Sequence, residues 1–387
     1  MLSSAPVPLA TSEEALRQEG WRAAGKGPGS ALESGGWTSP SGQQLRVIRS
    51  STEPPFYFAY NPGDSDMRGI RDRRVVEPAL TDAWRETVGS CCARRGTVID
   101  VGANFGWYTL LSLSLGCRVA AFEPIAPWRE AIRLGVALNG PSFAERLRLI
   151  PAVVYHRPGT FVLSVPEPSA RNLQMGATTM DGTPAAYKRV QNSRKQSAPS
   201  VRLDELGPWA DVCMLKADVE GNEPQVLLTA TRLLSSGEVR AVQLEVTRSM
   251  SGGTHRWERQ NNNQTCAIIQ TLEHLRTLGY GWQMVPWSEM HRARAADALR
   301  PFPSRSSASA AARMRRDALR LGYLRDFMKS TNLLATRETN RSAPLRAPGW
   351  PALACPVGPS PLSPTPRDVE ERASVQVSDC FGPYECG

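Results

Sequence analysis

The run Asp100-Val-Gly-Ala-Asn-Phe-Gly106 combines one acidic residue with two glycines, an arrangement that suits ligand binding. The run overlaps the end of the short apolar stretch 97–101, which is typical of a buried parallel strand. Glycine lets a turn lie close to a ligand and lets a helix begin without a clashing side chain. We therefore predict that the following residues form a ligand-binding turn: Asp100, Gly102, Asn104 and Gly106.

The spacing of this turn distinguishes it from turns that bind a pyrophosphate. It reads Asp-x-Gly-x-x-x-Gly, whereas a pyrophosphate is seated on a helix N-terminus by Gly-x-Gly-x-x-Gly. The carboxylate of Asp100 would repel the phosphates of a dinucleotide. It would attract a cationic ligand with an amino group, such as S-adenosyl-L-methionine (SAM).

Glu123 stands at the end of the next apolar run, 118–122, and follows Asp100 by 23 residues. In a doubly wound sheet, an acid at this place can accept hydrogen bonds from both ribose hydroxyls of a nucleoside. We predict that Glu123 binds the ribose of the ligand. The alternative is a surface glutamate that precedes a proline.

A second acidic run, Lys216-Ala-Asp-Val-Glu-Gly-Asn-Glu223, follows another apolar stretch. Acids at the carboxyl edge of a parallel sheet can take a proton from a reacting group. The predicted catalytic residues are Asp218 and Glu220, followed by Glu245 and then His255. Asp218 or Glu223 could instead stabilise the N-terminus of the following helix.

Strand and helix patterns alternate through the middle of the chain, which predicts an α/β fold with a doubly wound, mostly parallel sheet. Helices are expected over 76–90, from the glycine turn to about 115, over 128–138 and over 266–278, where His274 has a structural role. The predicted strands are 97–101, 118–122, 147–155, 212–215, 239–246 and 280–285.

Composition divides the chain into five segments. Gly, Ser, Ala and Pro dominate a flexible N-terminal arm, and a tail rich in Pro and Ser is predicted to be disordered. The predicted segments are the arm 1–45, an N-terminal cap segment 46–95, the main domain 96–290, a basic and partly helical segment 291–341, and the tail 342–387.

The positive charge of the chain is concentrated near its C-terminal end. Residues 291–346 contain twelve Arg and one Lys against four acids, which equals the net charge of +9 of the whole chain. A basic segment can attract phosphates or acidic surfaces, although a solvated, partly disordered arm is the favoured explanation. None of the eight cysteines stands in a zinc-binding pattern. We expect Cys117 and Cys213 to be small core residues, and we predict no metal site.

These motifs resemble the FkbM-type methyltransferase family in their order and spacing. The resemblance covers residues 96–285 and is carried by DVGANFGWYTL, AFEP, VRLDEL, LKADVEGNE and LEVT. It implies a Rossmann-like class I methyltransferase fold, SAM as the cofactor, and O-methylation of sugar or natural-product hydroxyls. The sequence departs from the family at 153–156, where a small residue and an Asp are usual near the adenine.

The predicted function is therefore SAM-dependent O-methylation of a small-molecule or glycan acceptor. Two alternatives remain open: a binding module that keeps the fold without catalysis, and an RNA methyltransferase that uses the basic segment. The absence of an Asp/Asn-Pro-Pro-Tyr/Phe motif argues against a nucleic acid acceptor. No stretch of about 20 apolar residues occurs, so a soluble, cytoplasmic protein is the default expectation. The acceptor-selecting loops are predicted at 156–199 and 247–262.

Overall fold

The protein is seen in a computed structural model that describes residues 13–24, 36–64, 67, 69–166, 179–180, 193–247, 271–272, 274–285 and 330–337. Two four-stranded sheets and one seven-stranded sheet lie within these residues. His255, the predicted tail and most of the basic segment lie outside them. None of the helices in the described ranges is long and apolar enough to cross a membrane.

The first small sheet begins inside the segment that was predicted to be a flexible arm. Its strands are β1 (Arg22–Ala23), β2 (Gly36–Thr38), β3 (Gln44–Arg49) and β4 (Tyr57–Tyr60), and helix α1 (Glu13–Gln18) precedes them. Leu16, Trp21 and Trp37 are buried here. The prediction of a flexible arm is therefore wrong for 13–24 and 36–45. These large apolar residues are widely spaced among Gly, Ser and Pro, so no periodic pattern revealed them.

Two helices, α2 (Ile70–Arg73) and α3 (Pro78–Cys92), connect this sheet to the main domain. The buried residues Leu80, Trp84 and Val88 recur every four positions along α3, which places them on one face of the helix. The Trp84 indole N–H donates to Ser112 Oγ at 3.1 Å. The predicted helix over 76–90 is confirmed, and it packs against the main domain.

The central sheet has seven strands. They are β5 (Thr97–Val101), β6 (Arg118–Phe122), β7 (Leu147–Ile150), β12 (Val212–Ala217), β13 (Ala241–Thr247), β14 (Tyr280–Val285) and β15 (Ser330–Arg337). Their order is β14-β15-β13-β12-β5-β6-β7, and only β15 runs antiparallel to its neighbours. The predicted Rossmann-like α/β fold with a mostly parallel sheet is confirmed.

Helices cover this sheet because its strands are apolar on both faces. They are α4 (Trp107–Ser114), α5 (Ala126–Asn139), α6 (Pro141–Ala144), α7 (Leu203–Leu206), α8 (Glu223–Leu228) and α9 (Thr231–Ser236). Seven of the eight residues of α4 are buried, as expected for a helix that is packed on all sides. Residues 271–272 and 274–277 are also helical, and His274 is buried there.

Residues 291–341 were predicted to form a basic, partly helical segment outside the main domain. This prediction is wrong for 330–337, which form strand β15 of the central sheet. It pairs with β13 over its whole length and with β14 on its other side. Leu334 and Ala335 bury their side chains in the core. The strand was missed because it is inserted between β13 and β14 out of chain order, after a long segment without periodicity. The sheet therefore extends beyond the predicted boundary at residue 290.

The second small sheet lies beside the end of β7. Its strands are β8 (Val153–Val154), β9 (Thr160–Pro166), β10 (Thr179–Met180) and β11 (Ser193–Val201), in the order β10-β9-β11-β8. The prediction of one strand over 147–155 is wrong, because β7 ends before Pro151 and β8 belongs to a different sheet from β7. The predicted acceptor-selecting loop 156–199 therefore contains the strands β9, β10 and most of β11. The polar side chains of β11 are half-buried, except for the exposed Lys195 and Ser197.

Two disulfides connect α3 to the central sheet. Cys91 is bonded to Cys213 and Cys92 to Cys117. The Sγ atoms of Cys117 and Cys213 are 3.6 Å apart, and a Cβ at Gly96 would overlap the Sγ of Cys213. Cys117 and Cys213 are buried as predicted, but they are oxidised rather than free thiols. They therefore offer no thiolate to a metal.

Candidate active site

A pocket opens at the carboxyl edge of the central sheet, next to the neighbouring strands β5 and β12, where the order of the strands along the sheet reverses. These strands are parallel neighbours, with Lys216 opposite Asp100 and Ala217 opposite Val101. Ligands of doubly wound sheets bind at such a switch point. The pocket has an empty volume of about 770 Å³, including the solvent at its mouth. Its polar lining residues are Asn104, Glu123, Asp218, Glu220 and Asn222.

Glu123 lies in the wall of this pocket, directly after β6, and is only 1% exposed. The backbone N–H of Asn104 donates to its Oε2 at 2.8 Å, and that of Ile125 donates to its Oε1 at 2.8 Å. A carboxylate has about four lone-pair sites. Each oxygen of Glu123 can therefore still accept a hydrogen bond from a ligand hydroxyl.

The protonation of Glu123 depends strongly on its environment. Burial raises the pKa of Glu123 to about 8, although the N–H groups of Ile125 and Asn104 oppose this effect. A ligand that donates hydrogen bonds to the carboxylate would favour its charged form. Occupation of the pocket by such a ligand is therefore coupled to the release of a proton near neutral pH.

Gly102 and Asn104 form the turn that separates Glu123 from Asp218. Both line the pocket, and both have left-handed backbone conformations, with φ of 77° and 53°. A Cβ at Gly102 would overlap the carbonyl oxygen of Asp218, so this glycine is required by contact within the chain. Asn104 Oδ1 is buried and accepts no hydrogen bond from the described residues. It is an acceptor that a ligand can use.

Asp100 lies behind the pocket wall and is fully buried. Thr109 donates to its Oδ2 at 2.6 Å, and Lys216 Nζ lies 3.4 Å from its Oδ1. Its cationic partner in the structure is therefore Lys216, and it does not line the pocket. In this structure Asp100 holds the buried lysine, and its attraction of the amino group of a ligand stays a prediction.

Gly106 begins α4 with a φ of 88°. A Cβ at this position would lie 2.7 Å from Ile132 Cγ1 on α5. Gly106 therefore opens the helix as predicted and allows α4 and α5 to pack closely. It does not line the pocket, so it shapes the site without facing it.

Lys216 connects the two acidic turns. It is 2% exposed, its Nζ lies 3.2 Å from Asp218 Oδ2, and it donates to the carbonyl oxygen of Gly102 at 3.1 Å. Burial opposes its charge, but the carboxylates of Asp218 and Asp100 outweigh burial and raise its pKa. The lysine therefore remains a cation and fixes the relative position of both turns.

Asp218 and Glu245 form a carboxyl–carboxylate pair at this end of the pocket. Burial alone would raise the pKa of Asp218, but Lys216 and a hydrogen bond from Glu245 lower it. Burial and the adjacent Asp218 raise the pKa of Glu245 well above its usual value. Asp218 is therefore the ionised member and lines the pocket, whereas Glu245 is its protonated partner.

Glu220 and Glu223 have different surroundings, although both follow Asp218 closely. Glu220 lines the pocket and has a left-handed φ of 55°. Glu223 is fully buried and accepts hydrogen bonds from the N–H groups of Val219 and Gly221 at 3.0 and 3.1 Å. Burial raises the pKa of Glu223 to about 7. Glu223 thus holds the turn that presents Asp218 and Glu220.

The other end of the pocket is apolar and was not predicted from the sequence. Its walls include Val153, Val154 and Tyr155, the residues that depart from the family pattern. They lie beyond Glu123 because the sheet order continues from β6 to β7. Flat apolar walls can enclose an aromatic base without a charged partner. The remaining apolar lining residues of this end are Phe122, Ile125, Trp128, Ala152, Leu163 and Met180.

The cap segment also reaches the site. Tyr108 on α4 donates a hydrogen bond from its hydroxyl to Glu77 Oε2 at 2.8 Å, and its ring lies 5.7 Å from Lys216 Nζ. Glu77 precedes α3 and has a left-handed φ of 40°. Sequence patterns did not indicate Glu77 or Tyr108. Lys216 could have been recognised, because a lysine within a buried strand needs carboxylate partners.

The comparison with protein families gives a match to the Methyltransferase FkbM domain over residues 100–280. The predicted resemblance is thereby confirmed. The matched range begins at Asp100 and ends at Tyr280, so it contains both acidic turns and Glu123. No curated protein sequence matches the chain.

Solved structures of methyltransferases are similar to the chain at low sequence identity and low TM-score. A SAM-dependent methyltransferase from Agrobacterium tumefaciens is 12% identical, with coverage of 78% of this chain and 73% of that chain and a TM-score of 0.35. One from Geobacter sulfurreducens, in complex with S-adenosyl-L-homocysteine, is 11% identical, with coverage of 66% and 91% and a TM-score of 0.27. The StiE O-MT is 8% identical, with coverage of 70% and 78% and a TM-score of 0.32.

Proposed function

We propose that this chain, whose residues 100–280 match the FkbM methyltransferase domain, is a SAM-dependent O-methyltransferase of small-molecule or glycan hydroxyls. The observation that carries the proposal is the order of groups along one sheet edge. An apolar wall is followed by Glu123 after β6 and then by the ionised Asp218 after β12. These groups match, in order, an adenine ring, a ribose and a reacting methyl group.

The residues present fit SAM on two independent observations. Glu123 is a buried carboxyl group that lines the pocket and has capacity for ribose hydroxyls. Asn104 Oδ1 is a buried acceptor that no described residue satisfies, and unpaired groups of this kind are rare in folded proteins. SAM would supply an electrophilic methyl group on a sulfonium with a neutral leaving group.

The chain's own contribution at the reacting end is to align an acceptor hydroxyl and take its proton. Asp218 is the best-placed base, because Lys216 and Glu245 keep it ionised at neutral pH. Methyl transfer would break the C–S bond and form a C–O bond, and Asp218 would take the hydroxyl proton of the acceptor. Alignment of this kind can account for about 7–11 kcal/mol of barrier lowering. Glu220 is the second candidate, because it also lines the pocket.

The acceptor class can be tested by measuring S-adenosylhomocysteine release from SAM with panels of sugars, hydroxylated small molecules, amines and short RNAs. Release that depends on a hydroxylated small molecule or sugar supports the proposal. Release only with amines or RNA would contradict the acceptor class while leaving the methyltransferase assignment intact. No release with any acceptor, despite SAM binding, would favour the binding-module alternative.

We also propose that the chain folds in an oxidising compartment, in place of the cytoplasmic default. Both disulfides join α3 to the sheet, and such bonds are rare where glutathione keeps thiols reduced. Thiol labelling of the protein from its native source, followed by peptide mapping, tests this. Labelling of any of the four cysteines in the native protein would contradict it.

A further inference from the structure

One polar group in the apolar end of the pocket has no hydrogen-bond partner among the residues that the structure describes. The side chain of Trp128, on α5, is 6% exposed and lines the pocket. Its indole Nε1–H is buried and makes no hydrogen bond in the described part of the chain. A buried tryptophan usually finds an acceptor for this donor, so the unsatisfied N–H is a feature to explain.

The other buried tryptophans of the same region make a useful comparison. Trp107, on α4, is 4% exposed and donates to Thr81 Oγ1 at 2.9 Å. Trp84 donates to Ser112 Oγ at 3.1 Å. Neither lines the pocket. Trp37, on β2, also lacks an acceptor among the described residues, but it does not line the pocket, so Trp128 is the one of these two unsatisfied indoles that a ligand in the pocket could contact.

The position of Trp128 indicates what the missing acceptor is. Along the sheet edge, Glu123 separates the charged end at Asp218 from the apolar end at Val153 and Tyr155. Trp128 follows Glu123 by five residues, and its ring centroid lies 6.3 Å from that of Phe105. It therefore lines the same pocket as Glu123, from the helix that begins three residues after this carboxyl group.

We infer that the Trp128 indole N–H donates a hydrogen bond to a ring nitrogen of the adenine of SAM. The inference rests on the proposed function. An indole can only donate, and adenine carries three ring nitrogens that accept. Trp128 is then a specificity residue, because a ligand without an acceptor at this place would leave the donor buried and unpaired. It also replaces the acidic contact that the sequence lacks at 153–156.

The test is a pair of matched variants, Trp128→Phe and Trp107→Phe, measured in the full chain. Both lose an indole N–H and similar volume from buried positions. Because the N–H of Trp128 is unsatisfied without ligand, Trp128→Phe should lower the melting temperature less than Trp107→Phe. For S-adenosylhomocysteine, Trp128→Phe should weaken binding about two- to tenfold, the range for a neutral hydrogen bond. Trp107→Phe should bind as the wild type does.

Analogues identify the accepting atom. S-adenosylhomocysteine is compared with its 1-deaza, 3-deaza and 7-deaza analogues in the wild type and in Trp128→Phe. One analogue should bind the wild type more weakly but bind Trp128→Phe as well as the parent ligand does. Equal effects of Trp128→Phe on all four ligands would overturn the inference and leave the proposed function standing. If the wild type binds none of the four, the proposed function and the inference both fail.

Discussion

The two edges of the central sheet are stabilised in opposite ways. At the carboxyl edge, the buried Lys216 pairs with the buried Asp100 and the half-buried Asp218, and Gly102 has a left-handed conformation. At the amino edge, two disulfides join α3 to Cys213 on β12 and to Cys117 just before β6. The same strands thus carry charges at one end and covalent crosslinks at the other.

The difference suggests that the two ends of one strand serve different purposes, ligand chemistry at the carboxyl end and stability at the amino end. Strand β12 contains Cys213 near its first residue and Lys216 near its last. Burying charges is costly unless they are paired, whereas a disulfide stabilises mainly by restricting the unfolded chain. We therefore expect substitutions at the carboxyl edge to change chemistry and ligand affinity, and substitutions at the amino edge to change stability.

The largest effect is expected for Asp218→Asn. It removes the proposed base but leaves Lys216 paired with Asp100, so the fold should persist. The turnover number should fall by about 10²–10⁴, with S-adenosylhomocysteine affinity within a few-fold of wild type. Asp211→Asn is the matched control, because Asp211 pairs with Arg240 and has a similarly exposed side chain, 36% against 32%. Equal turnover in both variants would show that Asp218 is not the base.

The next effect concerns the amino edge. The double variant Cys92→Ser/Cys117→Ser removes one disulfide, and loss of such a bond typically costs about 2–5 kcal/mol. Denaturant unfolding should show a loss of this size. Calorimetric affinity for S-adenosylhomocysteine at a temperature where the variant is folded should stay within a few-fold. A collapse of affinity in the folded variant would mean that the two edges are not independent.

Gly102→Ala should affect both properties, because its added Cβ would overlap the carbonyl oxygen of Asp218. A non-glycine residue forced into a strained conformation costs about 1–3 kcal/mol. The melting temperature and the ligand affinity should therefore fall together. Gly89→Ala is the control, since nothing lies within 4 Å of a Cβ at Gly89 and alanine favours a helix. A Gly102→Ala variant with wild-type stability and affinity would contradict the described contact.

The smallest effect is a pH dependence at Glu123. The pKa of Glu123 is raised to about 8 without ligand, and ribose hydroxyls donate to its charged form. Affinity for methylthioadenosine, which does not titrate in this range, should therefore rise roughly tenfold as pH increases from 6.5 to 9. Glu123→Gln should bind weakly at every pH. Affinity that falls with rising pH in the wild type would contradict the assignment.

Much of the site could be predicted because chemistry and chain order coincide there. The strands 97–101, 118–122 and 280–285 were found from apolar runs with their bounds correct. Glu123 was predicted from its place after β6, and it lies in the pocket wall. The predicted ligand role of each site residue still stands as a prediction.

Features that depend on distant parts of the chain could not be predicted. Strand β15 pairs out of chain order, and the partners of Cys91 and Cys92 lie 122 and 25 residues away. The turn motif gave no sign that Asp100 would face Lys216 instead of a ligand, because that pairing is made between β5 and β12. The role inferred for Trp128 could not be predicted either, because it depends on a pocket that only the folded chain forms.

The most direct test of the account is calorimetric titration of S-adenosylhomocysteine into the wild-type chain and into Glu123→Ala. The account predicts one site per chain in the wild type. It predicts at least about tenfold weaker binding in the variant, since hydrogen bonds to a charged group contribute about 1.5–3 kcal/mol each. Circular dichroism confirms that the variant is folded. No binding to the wild type, or equal affinity in a folded Glu123→Ala, would contradict the assignment of this pocket.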